Sequence, residues 1–392
     1  MSRPYGAMVA CATGGIAFFV TVTCFIWFCR SQCKKHRNRN SETSSSDPSA
    51  VAVESNRRHG FSSEGATSIP EVQGVKQFTL EELEQATKHF SKGNLIGKGS
   101  FGLVYKGLLS DGTIVAIKRR QSAPRQEFVN EVLHLSEVKH RNIVTLLGFC
   151  QEDGSQMLVF EYVPNGSLSS HIYVFCCLSD NGQESITTLE FKQRLSIALG
   201  AAKGLCHLHS LIPPVVHKNF RMSNVLVDEN FIAKVADAGI SKLLERIEDP
   251  SSSSQTGGNV FQDPEVRESR TFSEMSDVYS FGIFLLELIT GQETLKINSL
   301  GSHESLMQWV KSCLHSNNFV DHRLASCFTL EGMKNLTRLM FQCMNIVGKG
   351  RPKMDMVMLE LERILENEMT LTTVMGDGTA TVTLGSQLFT SG

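Results

Sequence analysis

The stretch His217-Lys218-Asn219-Phe220-Arg221-Met222-Ser223-Asn224-Val225-Leu226-Val227-Asp228 places a polar loop directly before a short apolar strand. The loop carries an imidazole (His217), two cations (Lys218 and Arg221) and two amides (Asn219 and Asn224), and no carboxylate before Asp228. An amide is neutral and a very poor base, so Asn219 offers no proton acceptor of the carboxylate kind at the centre of this loop.

The chain around it has 392 residues, enough for one large domain or two to three small ones. Hydrophobic residues make up 41 % and charged residues 20 %, the balance of an ordinary globular chain. The formal net charge of -2 gives no global field to recruit nucleic acid. The 11 cysteines include no C-x-x-C pair and no regular spacing, which argues against a disulfide or zinc framework. Cys150, Cys206, Cys313 and Cys343 sit in apolar segments and read as small buried hydrophobes.

Residues 7–29 contain no charge, and Phe18, Phe19, Val20, Val22, Phe25, Ile26, Trp27 and Phe28 make their centre apolar. That length spans roughly 30 Å of hydrocarbon as a helix, so a single transmembrane helix is expected here. Arg30, Lys34, Lys35, His36, Arg37 and Arg39 follow it, and only Arg3 precedes it, which puts the C-terminal bulk in the cytoplasm and residues 1–6 outside. No ligand-binding ectodomain is then expected in this chain. Cys24, Cys29 and Cys33 lie at the inner boundary, where thiols are open to palmitoylation. Residues 30–77 are Ser-rich, basic at their start and poor in large apolar side chains, and read as a disordered juxtamembrane linker. Each cation near an anionic leaflet adds about 1 kcal/mol of attraction.

Order is expected from residue 78. Thr79 and Glu82 fit a capping box, and Phe78, Leu80, Leu83, Ala86 and Phe90 share a helical face, giving a leading helix over 78–89. Ile96-Gly97-Lys98-Gly99-Ser100-Phe101-Gly102-Leu103-Val104 is a G-x-G-x-x-G-x-V run, a weak signal alone. Its context is strand, turn (Ser110-Asp111-Gly112-Thr113) and return strand (Ile114-Val115-Ala116-Ile117-Lys118), whereas a dinucleotide fold needs a helix at once. Gln126–Val138 reads as a helix bearing Glu131, Met157–Phe160 as a buried strand, and Leu189–Ser210 as a strongly periodic helix. Residues 174–188 look like a surface insertion with an apolar run. Beyond Asp237-Ala238-Gly239 a polar loop runs through Ser251–Ser254 and Thr256 to Asp263, and later helices cover 276–290, 305–313, 330–345 and 355–366. The tail 367–392 reads as flexible.

With these motifs in this order, residues 90–366 resemble a eukaryotic protein kinase domain of the plant receptor-like kinase/Pelle family. The Phe78–Phe90 lead-in, Pro164-Asn165-Gly166-Ser167-Leu168 and Asp277-Val278-Tyr279-Ser280-Phe281-Gly282 carry the resemblance most specifically. It implies an α+β, two-lobed kinase fold, with a small β-rich N-lobe and a helical C-lobe, behind the membrane helix. It implies ATP held by Ile96, Gly97, Gly99, Gly102, Val104, Ala116, Lys118, Glu131, Glu161, Val163 and Leu226, with Glu131 paired to Lys118. Asn224 and Asp237 would hold Mg2+, and a Glu265–Arg351 ion pair would tie the activation segment to the C-lobe.

The departures fall on the substrate side. Asn219 stands at the catalytic-base position, Lys218 replaces the preceding arginine, Arg221 replaces a lysine, and Asp237-Ala238-Gly239 replaces D-F-G. General-base assistance is worth 10²–10⁴-fold, or about 3–5.5 kcal/mol of barrier. Gly258–Gln262 also lack the threonine and tyrosine that the family places near the substrate. The resemblance therefore implies a pseudokinase at the plasma membrane, single-pass, binding ATP and Mg2+ but catalytically impaired. Such a protein acts as scaffold or allosteric partner for a receptor kinase with an ectodomain or another active kinase. The alternatives are a weakly active serine/threonine kinase and a nucleotide-free adaptor. Ser251–Ser254 and Thr256 are candidate phosphorylation sites that Lys218 or Arg221 would pair.

Overall fold

The computed structural model describes residues 75–173, 189–247, 263–294, 303–315, 319–324 and 328–374. The expected membrane span 7–29, the linker up to residue 74, the insertion 174–188, the serine run 251–254 and the tail past 374 lie outside the described residues. Among the described residues no helix is long and apolar enough to cross a membrane.

Six strands, β1 (Lys76–Gln77), β2 (Leu95–Lys98), β3 (Leu103–Leu108), β4 (Ile114–Gln121), β5 (Leu146–Glu152) and β6 (Ser155–Glu161), form one sheet in the order β1-β5-β6-β4-β3-β2. Only β1 beside β5 is parallel. Helices α1 (Leu80–Thr87) and α2 (Gln126–Ser136) complete this lobe. Successive side chains of a strand face opposite sides, and β6 shows the consequence. Leu158 and Phe160 pack with Phe128 and Val132 of α2, while Met157 and Val159 pack with Phe78 and with Leu83 of α1. The central strand is thus buried on both faces.

The capping box forms as expected: the Glu82 amide donates to Thr79 Oγ1 at 3.2 Å and the Thr79 amide to Glu82 Oε2 at 2.8 Å. The Leu80 amide donates to Glu152 Oε2 at 2.8 Å, which fixes the start of α1 on β5. Gly148 of β5 is where the chain before α1 comes closest. A Cβ there would overlap Lys76 O and the Phe78 ring, so only glycine admits β1 at this edge.

The second lobe contains α3 (Leu168–Ile172), α4 (Phe191–Ser210), the hairpin β7 (Val225–Val227) and β8 (Ala233–Val235), α5 (Ile240–Ile247), α6 (Pro264–Ser269), α7 (Glu274–Thr290), α8 (His303–His315), α9 (Leu330–Cys343) and α10 (Met354–Val374). Helix α7 is buried nearly all round and supplies the centre of the lobe with Val278, Phe281, Phe284 and Leu285. Buried Glu368 accepts from the Thr329 amide and Oγ1, each at 2.6 Å, so the packing of α10 continues past residue 366.

Two expectations change here. Helix α5 stands where the sequence reading places a polar loop. Arg351 pairs with Asp263, not Glu265: its guanidinium is fully buried and its two terminal nitrogens reach the two Asp263 oxygens at 2.7 and 2.6 Å. Asp263 is the N-cap of α6 and points inward, whereas Glu265 Oε1 accepts from the Gly348 amide at 2.8 Å.

Removing one partner of a buried ion pair costs about 3–5 kcal/mol, because the other charge stays buried alone. Asp263→Ala is therefore expected to lower the urea-unfolding midpoint much more than Glu265→Ala; equal losses would contradict this pairing. Phe78→Ala is expected to cost about 3–5 kcal/mol in the same measurement. An unchanged midpoint would mean that β1 and α1 are not part of the folded lobe.

Candidate active site

The loop from His217 to Asn224 is held from below by a carboxylate. Asp277, on the first turn of α7 and 1 % exposed, accepts from the His217 amide at 2.7 Å, the Lys218 amide at 2.9 Å and His209 Nε2 at 2.9 Å. Lys218 takes a left-handed backbone conformation (φ 65°), which turns the two amides onto one carboxyl group. His217 is completely buried; its Nε2 donates to Ala236 O at 2.8 Å, and its Nδ1 accepts from the Asn219 amide at 3.3 Å. That pattern requires neutral imidazole, and burial holds its pKa below the ordinary value.

Asn219 sits at the mouth of this loop as a neutral amide. Its carbonyl accepts from Asn224 Nδ2 at 2.9 Å, and the Ala236 amide donates to Asn224 O at 2.8 Å. These bonds bring Asn219, Asn224 and Asp237 together. Arg221, half-buried and extended, follows on the same loop.

Above it, the Gly99 amide donates to Gly102 O at 2.8 Å and closes the glycine-rich turn between β2 and β3. Gly102 has φ 152°, and a Cβ there would overlap Arg119 O, so no other residue fits. The turn is drawn inward: Phe101 is 3 % exposed and stacks on Phe128 with ring centroids 6.4 Å apart. Gly99 faces Asp237, and a Cβ there would lie 3.8 Å from Asp237 Oδ2.

Ala116, Phe160, Val163 and Leu226 share one apolar cluster, while Ile96 is exposed and Val104 half-buried. The Glu161 carboxylate accepts from the Thr145 amide (2.7 Å) and from Lys234 (2.9 Å).

The expected Lys118–Glu131 pair does not form. Lys118 Nζ instead contacts Asp237 Oδ1 under the Phe160 ring, 5.3 Å from its centroid. Burial pulls the Lys118 pKa down to about 8, while the Asp237 carboxylate favours its charged form. Glu131, 4 % exposed, pairs with Lys242 at 3.1 Å and Arg246 at 3.7 Å. The cause is the apolar face of α5: Ile240, Leu243 and Ile247 join Phe128, Val132 and Leu135 of α2. That packing carries the cations of α5 to Glu131. On the outer side, Glu245 takes Lys218 Nζ with both oxygens, at 2.7 and 2.6 Å.

Sequence reasoning missed Lys242, Glu245, Arg246 and the loop-holding role of Asp277. A signal for α5 was present: Ile240, Leu243 and Ile247 recur at helical spacing, with Lys242 and Arg246 four apart on another face.

Burial holds His140, His217 and His303 below the ordinary histidine value of 6.5. The unfolded chain therefore binds these protons first. The stability they contribute is full above 6.5 and is lost as pH falls through their folded values. Unfolding midpoints are expected to drop as pH falls below 6.5, less steeply in His217→Gln. An identical slope in that variant would contradict a neutral His217.

Residues 90–361 match the family model for protein tyrosine and serine/threonine kinases. A probable leucine-rich repeat receptor-like protein kinase of Arabidopsis thaliana is 39 % identical over 308 residues, covering 76 % of this chain and 31 % of its own length. A proline-rich receptor-like protein kinase of Arabidopsis thaliana is 34 % identical over 370 residues, covering 91 % of this chain and 65 % of its own. The chain thus spans less than two thirds of either relative. Among solved structures, the pseudokinase domain of BIR2, an immune regulator of the RLK/Pelle family, superposes with a TM-score of 0.60 at 30 % identity, over 76 % of this chain and 90 % of that one.

Proposed function

From a chain that belongs to the plant receptor-like protein kinase family, we propose a kinase-shaped regulatory module that transfers phosphate poorly or not at all and acts by binding an active kinase. Asn219 carries this reading. It occupies the position of the catalytic carboxylate in a loop otherwise built in full, from Asp277 upward. An amide there cannot take the substrate's proton. The charge pattern supports the same reading, since Lys118 is spent on Asp237 and Glu131 on α5.

Kinase domains of this family bind ATP and Mg2+, and the residues here suit both. Asp237 and Asn224 offer hard oxygen donors of the kind magnesium takes. Asn224 uses its amide nitrogen on Asn219 O, which leaves its oxygen for a metal. Mg2+ would neutralise phosphate charge, and Gly97, Gly99, Gly102 and Lys118 would receive the phosphates once Lys118 leaves Asp237. Ala116, Val163 and Leu226 would bound the adenine. Retention of these groups favours a second reading, a weakly active serine/threonine kinase. We place the module at the plasma membrane through residues 7–29, beside a receptor kinase with an ectodomain.

Radiolabelled phosphate transfer by the full chain is expected at least about 100-fold below the 1–100 per second of active kinases, and Asn219→Asp is expected to raise it. Wild-type turnover within that active range would overturn the proposal. ATP with Mg2+ is expected to raise the melting temperature, because a ligand of the native state stabilises it. No shift would assign the domain to nucleotide-free adaptors.

A further inference from the structure

Helix α1 ends in a strained turn. Lys88, His89 and Phe90 all take left-handed backbone conformations (φ 53°, 55° and 50°), which residues with a Cβ avoid. Local bonds hold them there. The His89 amide donates to Glu84 O at 2.7 Å, the Phe90 amide to Thr87 Oγ1 at 3.0 Å, and Asn94 Nδ2 to Thr87 O at 2.8 Å. The Phe90 ring packs inward, its centroid 5.3 Å from that of Tyr105 on β3 and 4.1 Å from the Arg119 guanidinium of β4. Lys88, His89 and Lys92 stay exposed around it.

Strand β2 continues the same surface. Leu95 stands opposite Tyr105 and Lys98 opposite Leu103, while Tyr105 stands opposite Ile117, which packs with Leu83 of α1. All of them therefore lie on the face of the sheet that α1 covers, and Ala116 and Lys118 on the other. Leu95 is 42 % exposed and Leu103 39 %. Lys88, Lys92 and Lys98 are exposed, and none of the three has an ion-pair partner among the described residues. One carboxylate stands near, Glu84, 3.6 Å from His89 Nδ1. Glu81 and Glu82 lie at the far end of α1, over β5, where Glu82 pairs with Lys76 at 3.1 Å.

A specific protein partner needs about 800 Å² of contact around an apolar centre, more than two leucines supply. Three unpaired lysines on flexible stems suit a broad anionic surface instead. Cations are attracted to an anionic leaflet, and leucines settle at its acyl boundary. A chain tethered to the same bilayer meets it at a high effective concentration, so weak contacts suffice.

We propose that this face of the β-rich lobe docks on the anionic inner leaflet, with Lys88, Lys92 and Lys98 on the headgroups and Leu95 and Leu103 at the acyl boundary. The inference rests on the placement of the chain at the plasma membrane, and it gives the domain an orientation there. Ala116 and Lys118 then face away from the leaflet.

The test is hydrogen exchange on the full chain reconstituted in nanodiscs of phosphatidylcholine, alone or with about 30 % phosphatidylserine. Amides of residues 88–98 are expected to exchange about tenfold slower or more in the anionic discs. Salt at about 1 M, which shortens the screening length to about 3 Å, abolishes the difference. So does the combination of Lys88→Glu, Lys92→Glu and Lys98→Glu, and Leu95→Ser with Leu103→Ser reduces it. The amides of β6, buried on both faces, report in the same data that each variant is folded. Equal exchange in the two discs, or slowing that survives salt or the charge reversal, overturns the proposal. A chain that inserts into the discs and shows no slowing loses the docking face and keeps its membrane placement. A chain that does not insert loses the placement; co-sedimentation with vesicles of the same two compositions then tests the face, and equal binding to both removes it.

Discussion

Burying a carboxylate to 4 % exposure costs several kcal/mol unless a cation comes with it, and Glu131 meets that requirement through α5. The consequences spread through the site. Helix α5 lies under α2, its apolar residues complete the core there, and Lys118 turns to the nearest remaining carboxylate, Asp237. Glu245 on the outer face of α5 then reaches Lys218, so one helix of eight residues touches both the β-rich lobe and the catalytic loop.

The small residue at position 238 belongs to the same arrangement. Ala238 packs against the helical-lobe core, and Leu135 of α2 lies directly over Gly239, so close that a Cβ there would overlap it. Next to it, Ile240 and Leu243 of α5 pack with Phe128, Val132 and Leu135 of α2, in keeping with close packing of interiors.

The catalytic loop shows the opposite behaviour. Its backbone is specified in full: three donors on Asp277, a neutral His217 between Ala236 and Asn219, and Asn224 bonded across to Asn219. The differences are in side chains: Asn219 at the base position, with Lys218 and Arg221 keeping the charges of the groups they replace. An amide at 219 is close to isosteric with a carboxylate, so a change that removes a base leaves the scaffold intact. Folding and phosphate transfer are thus separable in this chain, and a regulatory role needs only the first.

Much of this was legible in the sequence. The glycine-rich run with its return strand, the capping box at Thr79 and Glu82, the central loop and the periodic helices identify the two-lobed fold, because they are set by local backbone preferences and by the spacing of apolar residues. Asn219 is legible for the same reason: its chemistry does not depend on its neighbours. The charge partners were not. Lys118 with Asp237, Glu131 with Lys242 and Arg246, and Arg351 with Asp263 each join residues far apart in the chain. Several carboxylates lay within plausible reach of each cation, and motif order favoured Glu131 for Lys118 and Glu265 for Arg351. The choice belongs to packing, since an ion pair forms where buried apolar faces have already brought the charges together. The sequence determined which groups this protein has; the docking of α5 on α2 decided which of them meet.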